Sequence, residues 1–247
     1  MLRGGSIGLR GRIRTRGREP IQVGPKATSK KGEQMLDRYS RFAPLTGAAW
    51  AVLAVVAIVV GPGETPEGDS RPFKVVHFYS SHTSEIETAG ILFTIAFLAF
   101  LLFSGSLRAH LRRTPAVEPL ATLALGAVVL MGGAAGIGGG IEFGLAHNID
   151  HVTPQVAQAV NLVSREVFLP VVVGGVIFGL CNGLAILRGA LLPRWLGWVA
   201  IVMAITFAVP PAIFVGFILL LAWSLVVAVL MFLRPGGAEP SVVPVGA

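Results

Sequence analysis

Residues 195–233 read WLGWVAIVMAITFAVPPAIFVGFILLLAWSLVVAVLMFL, 39 residues without one charged side chain. As a single straight helix at 1.5 Å per residue this stretch would be about 58 Å long. The hydrocarbon core of a bilayer is only about 30 Å thick. The one interruption is Pro210-Pro211. Proline removes a backbone donor and disfavours helical geometry in the residue before it, so the chain turns there. Arg194 and Arg234 flank the stretch, and a hairpin puts both on one side, where a single span would separate them. The stretch therefore reads as two spans, Pro193–Val209 and Pro211–Leu233. The first is short for the ruler, so it starts near Leu191 or carries its turn below the headgroups.

The same ruler, moved outward, finds four more spans. They are Ala43–Gly61, ending at Gly61-Pro62-Gly63; Ala89–Leu107, ending at Arg108; Leu120–Leu145; and Val167–Leu187, ending at Arg188. The fold class expected is all-α: a polytopic membrane protein with a bundle of six transmembrane helices over residues 41–234. Composition agrees. Charged residues make up 13% of the chain, about half the usual soluble share of roughly 25%, and they cluster between the apolar runs.

The net charge of +7 does not point to nucleic acid. Residues 1–41 hold 11 of the 20 Lys and Arg, against three acids, and the rest of the chain is close to neutral. The basicity belongs to a tail, which reads as disordered over residues 1–40 and whose natural partner is anionic lipid. No apolar segment of signal-peptide type follows closely. Met35, opening MLDRYSR just before the first span, is a second candidate start. Residues 235–247 read as a disordered C-terminal tail.

Loop charge predicts orientation. Six spans put 17 Lys and Arg on the side of the termini and three on the other, and without residues 1–34 the ratio is still eight to three. The termini are expected in the cytoplasm of a bacterial cell, with the protein in the plasma membrane. Loops 62–88 and 146–166 then face outward. The first carries an expected short helix through His77–His82. The second carries an expected surface helix over Pro154–Arg165, capped by Thr153, with Val156, Val160 and Val163 at helical spacing.

Several residues are candidates for more than packing. Gly132, Gly136, Gly140 and Gly144 stand four apart in the third span, and Gly175, Gly179 and Gly183 do so in the fourth. Such faces let backbones approach, so the two spans are expected to pack along them, with homodimerisation through one stripe, or pairing with a partner membrane protein, as the alternative. Glu142 lies near the outer end of the third span, either as an interfacial carboxylate, hydrated or paired with Arg165, or as a group binding a cation or proton. His147, Asp150 and His151 form a tight cluster. On a helix both imidazoles would share a face and, with Asp150 or Glu142, could hold Zn²⁺; solvated loop residues are the plainer reading. His77 and His82 form a second pair. Asn182, deep in the fourth span, is expected to bond a neighbouring helix. Trp195, Trp198 and Trp223 read as interface anchors or packing residues. Cys181 is alone in an apolar run and reads as a buried hydrophobe. No phosphate loop, nucleophile elbow or paired intramembrane acid is present, and no motif calls for a cofactor.

Three segments, residues 75–82 (VVHFYSSH), 106–113 (SLRAHLRR) and 192–198 (LPRWLGW), carry a resemblance to a widespread group of bacterial multi-span membrane proteins. It covers roughly residues 40–234. The group has no established activity, so the resemblance implies topology and no chemistry. Three function classes fit the sequence: a non-enzymatic accessory or sensory component, a small-solute or ion transporter or channel, and a membrane-embedded metal enzyme using His147, His151 and an acid.

Overall fold

The computed structural model describes residues 42–63, 65–189 and 191–233; the tails expected over 1–40 and 235–247 lie outside these. Every regular element among the described residues is a helix. A 3₁₀ turn at Ala43–Leu45 leads into α1 (Thr46–Val60). Then come α2 (Pro72–Ser81), α3 (Thr83–Leu111), α4 (Glu118–His147), α5 (Pro154–Glu166), α6 (Leu169–Gly189), α7 (Arg194–Ala208) and α8 (Ile213–Leu233). Prolines in the first turns of α2, α4 and α5 fit positions whose N–H has no helical partner.

Five stretches have the length and apolarity of membrane spans: Ala43–Val60, Thr83–Leu111, Pro115–His147, Pro154–Gly189 and Pro210–Leu233. These are the helices of a multi-pass membrane protein. α7, the fifth expected span, is apolar but only 15 residues long. The turn at the double proline is present. Val209 is extended and Pro210–Ala212 forms a 3₁₀ turn. α7 and α8 run antiparallel, because Gly216 lies against Thr206 and Phe207 while Trp223 Nε1 donates to the Leu196 carbonyl at 3.0 Å.

The helices close into a ring in which each packs on the next: α1 on α3, α3 on α4, α4 on α6, α6 on α7, α7 on α8, and α8 back on α1. Inside it, Trp50 stacks on Phe100 at 4.8 Å, Phe100 meets Phe178 at 5.3 Å, and Phe178 meets Trp223 edge-on at 5.7 Å. All four rings are buried. Outward-facing Val59, Leu123, Val202 and Ile218 are exposed. Water would penalise such a surface, and lipid tails match it.

α2 and α5 do not join the ring. They pack on each other, and α5 also packs on α4, forming a cap over one end. The helix expected over Pro154–Arg165 is α5, but it turns a different face inward. Ala157, Asn161 and Ser164 are buried, whereas Val156 and Val163 are exposed. Thr153 occupies the N-cap position without a side-chain bond to the helix.

Candidate functional site

The glycines on α4 and α6 have opposite surroundings. On α6, a Cβ built at Gly179 would stand 2.6 Å from the Ala200 carbonyl oxygen and 2.9 Å from the Ala204 Cβ. One at Gly183 would stand 2.8 Å from the Gly197 oxygen, and one at Gly175 would meet the Phe207 ring at 2.8 Å. These glycines press on α7. α4 does pack on α6, but through Gly174 against Met131 and the Ala127 carbonyl. The expectation that the two glycine stripes face each other is therefore corrected: the α6 stripe takes α7, whose small Gly197, Ala200 and Ala204 complement it.

The α4 stripe opens onto empty space. At Gly132 the Phe97 ring of α3 lies 3.3 Å from the built Cβ, whereas Gly136, Gly140 and Gly144 have no such neighbour within 4 Å. A phenyl ring thus props α3 away from α4, and beyond it the glycines supply no side chain to fill the gap. The result is a cavity of about 970 Å³ between the N-terminal part of α3 and the C-terminal part of α4. Its floor is Phe97, which rests on Trp50 at 5.3 Å and so on the solid aromatic core. Its roof includes residues 61–63 and Thr65. Ile58, Ile91 and Leu98 on its rim are exposed, so it opens sideways toward the surroundings of the bundle.

Among the described residues, Glu142 is the one charged side chain lining this cavity. Tyr79 from α2 and Ser164 from α5 line it too, and the Ser164 hydroxyl sits beside both the Glu142 carboxyl and the Tyr79 phenol. Of the alternatives for Glu142, a pair with Arg165 does not form: the Arg165 Nη1 donates to the carbonyls of Thr65 at 3.2 Å and Pro66 at 3.0 Å. The nearby cation is thus turned toward the roof, leaving Glu142 without a salt bridge among the described residues.

The cap holds the roof by named bonds. Tyr79 Oη donates to Asn161 Oδ1 at 3.1 Å, and Asn161 Nδ2 donates to the Pro66 carbonyl at 3.1 Å. Gln158 Nε2 donates to the Ser70 carbonyl at 2.8 Å. Burial, reinforced by the Glu142 carboxylate, pushes the Tyr79 phenol above its ordinary range, so it remains a donor. The valines of α5 do not point to Tyr79, Asn161 or Ser164. The signal was there: Ala157, Asn161 and Ser164 recur at i, i+4 and i+7, a small and polar stripe on one helix face.

The histidine cluster does not assemble. α4 ends at His147, Asn148 bonds back to the Gly144 carbonyl at 2.9 Å, and Ile149–His151 forms a separate 3₁₀ turn. One continuous helix, needed for both imidazoles to share a face, is missing. Among the described residues no three His, Cys, Asp or Glu side chains gather as metal ligands. His147 Nδ1 instead lies 3.1 Å from Glu87 Oε1, with its ring stacked on Phe143. Asp150 is exposed, and His82 Nδ1 bonds the Phe78 carbonyl. Asn182 is buried and bonds Phe178 of its own helix at 2.9 Å, not a neighbouring one. Trp195 and Trp198 are exposed, while Trp223 is core.

No family model matches the chain, and no curated protein or solved structure is similar to it. Fold and site together define a class: a helical multi-pass membrane protein with a largely apolar cavity, opening sideways, that carries the Glu142 carboxylate.

Proposed function

We propose that this protein is a six-span component of a bacterial plasma membrane, with both termini cytoplasmic. In this reading it performs no chemistry and acts as an accessory or sensory unit by binding a small, mostly apolar molecule in the cavity between α3 and α4. The observation that carries the reading is the cavity itself: about 970 Å³, at the upper end of the ordinary range for small-molecule sites. The sixth span rests on α7, which closes the ring between α6 and α8. The orientation rests on Lys and Arg gathering at the end opposite the cap. Transport is the second reading, favoured by Glu142 lying beside a glycine-lined space. Against it stands the floor. Phe97 packs on Trp50 and Trp50 on Phe100, so a path across the bundle would have to part these rings.

The test is photo-crosslinking in nanodiscs with an alkyl benzophenone. Labels should concentrate on Gly90–Phe97 and Gly132–Phe143, and the double variant Gly136→Phe/Gly140→Phe should lose them while keeping its thermal unfolding profile. Labels spread evenly over all exposed apolar faces would refute the site. Solute flux in proteoliposomes that Glu142→Ala abolishes would replace binding with transport.

A further inference from the structure

From the lining of the cavity, and resting on its reading as a binding site, we infer that its ligand is a cationic amphiphile: an apolar body carrying one ammonium group, held by Glu142. Three observations converge. First, the cavity is walled mostly by apolar residues, yet the one charged group among its described lining residues is a carboxylate. An ionisable group at membrane depth ordinarily faces a partner or a path. Second, the nearest cation is engaged elsewhere. Arg165 spends its Nη1 on the Thr65 and Pro66 carbonyls, so the chain brings a positive charge near Glu142 without closing an ion pair. Third, the rings of Tyr79 and Phe143 line the same space close to Glu142, and an aromatic ring attracts an organic cation and does nothing for an anion.

The architecture also sets how the molecule lies. Glu142 sits one turn and a half from the capped end of α4, beside Ser164 and Tyr79, so the ammonium belongs under the roof. The body then runs along the bare glycine face of Gly140 and Gly136 toward Phe97. Because Ile58, Ile91 and Leu98 form an exposed rim, the molecule enters sideways, from the bilayer. A fatty acid or other anionic amphiphile would set two carboxylates against each other in a low-dielectric space, which is strongly unfavourable.

The experiment uses the full chain in nanodiscs of phosphatidylcholine, and three photoreactive benzophenone probes sharing one dodecyl body and ending in a primary ammonium, an alcohol or a carboxylate. Specific labelling of the cavity peptides is titrated for each. The ammonium probe should bind at least tenfold more tightly than the alcohol, as expected for a charge-assisted bond in a dry site, and the carboxylate should bind weakest. Glu142→Gln should erase the preference for the ammonium while leaving the alcohol unchanged, and Glu142→Asp should keep part of it. Equal binding of ammonium and alcohol, or a preference that survives Glu142→Gln, overturns the head-group assignment and leaves the cavity reading standing. Failure of all three probes to label the cavity overturns the cavity reading instead. Replacing a fifth of the lipid with phosphatidylethanolamine separates two sources of the ammonium. Displacement of the probe identifies a lipid headgroup, and unchanged labelling identifies a free amphiphilic amine.

Discussion

The contact between α6 and α7 and the space between α3 and α4 are written in the same sequence idiom, glycine every fourth residue, and do opposite things. At Gly179 and Gly183 the absent side chain is replaced by the backbone of α7, with a carbonyl oxygen under 3 Å from where a Cβ would stand. At Gly136, Gly140 and Gly144 it is replaced by nothing. The partner decides. α7 offers Gly197, Ala200 and Ala204, small enough for two backbones to touch, whereas α3 offers Phe97, whose ring holds the helices apart. A glycine repeat in a membrane helix thus signals missing volume, which a neighbour can fill or leave open.

That contrast can be broken most severely at the closed side. Gly179→Leu forces a branched side chain into the α7 backbone. It should destabilise the bundle by about 3 kcal/mol, the upper end of the usual cost of overpacking, read as a large fall in unfolding temperature in detergent. If it unfolds like the parent, the tight α6–α7 contact is not the one that holds the bundle together.

A middle-sized effect is expected at the cap. Asn161→Leu removes the acceptor of Tyr79 and the donor to the Pro66 carbonyl, leaving buried polar groups unpaired at a cost of roughly 1–3 kcal/mol. Limited proteolysis should then cut residues 62–71 faster, with the α6–α7 side unchanged. Equal cleavage rates would mean that the roof is held without Asn161, by Gln158 and Arg165 of the same helix.

The smallest effect belongs to the open stripe and carries the opposite sign. Gly140→Ala meets no neighbour and removes the conformational freedom of glycine, so it should stabilise by at most about 1 kcal/mol. Thermal unfolding of Gly140→Ala beside Gly179→Ala sharpens the comparison directly, because the second should fall where the first holds or rises. A fall at both positions would mean the space beside Gly140 is filled in the folded protein.

Much of this fold is legible in the sequence. Long uncharged runs permit only a backbone that satisfies its own hydrogen bonds, so the helices and their approximate ends followed from length and charge. The turn at Pro210-Pro211 followed from two rings that cannot donate. The site was legible in part. Glu142 stood out as an acid in an apolar span, and the glycines stood out by spacing. Its partners did not, because Tyr79 and Ser164 reach Glu142 from helices distant in the chain, and no local pattern announces that meeting.

By itself, then, the sequence determined what is local and additive: which segments are apolar helices, where proline and glycine end them, and where charge gathers. Only the tertiary structure decided which glycine face would be closed and which left open, that Arg165 would bond the roof instead of Glu142, and that His147 and His151 would part at Asn148. Those outcomes depend on the shape of the facing helix. Burial and hydrogen bonding are settled between surfaces, and a single chain segment carries only one of the two.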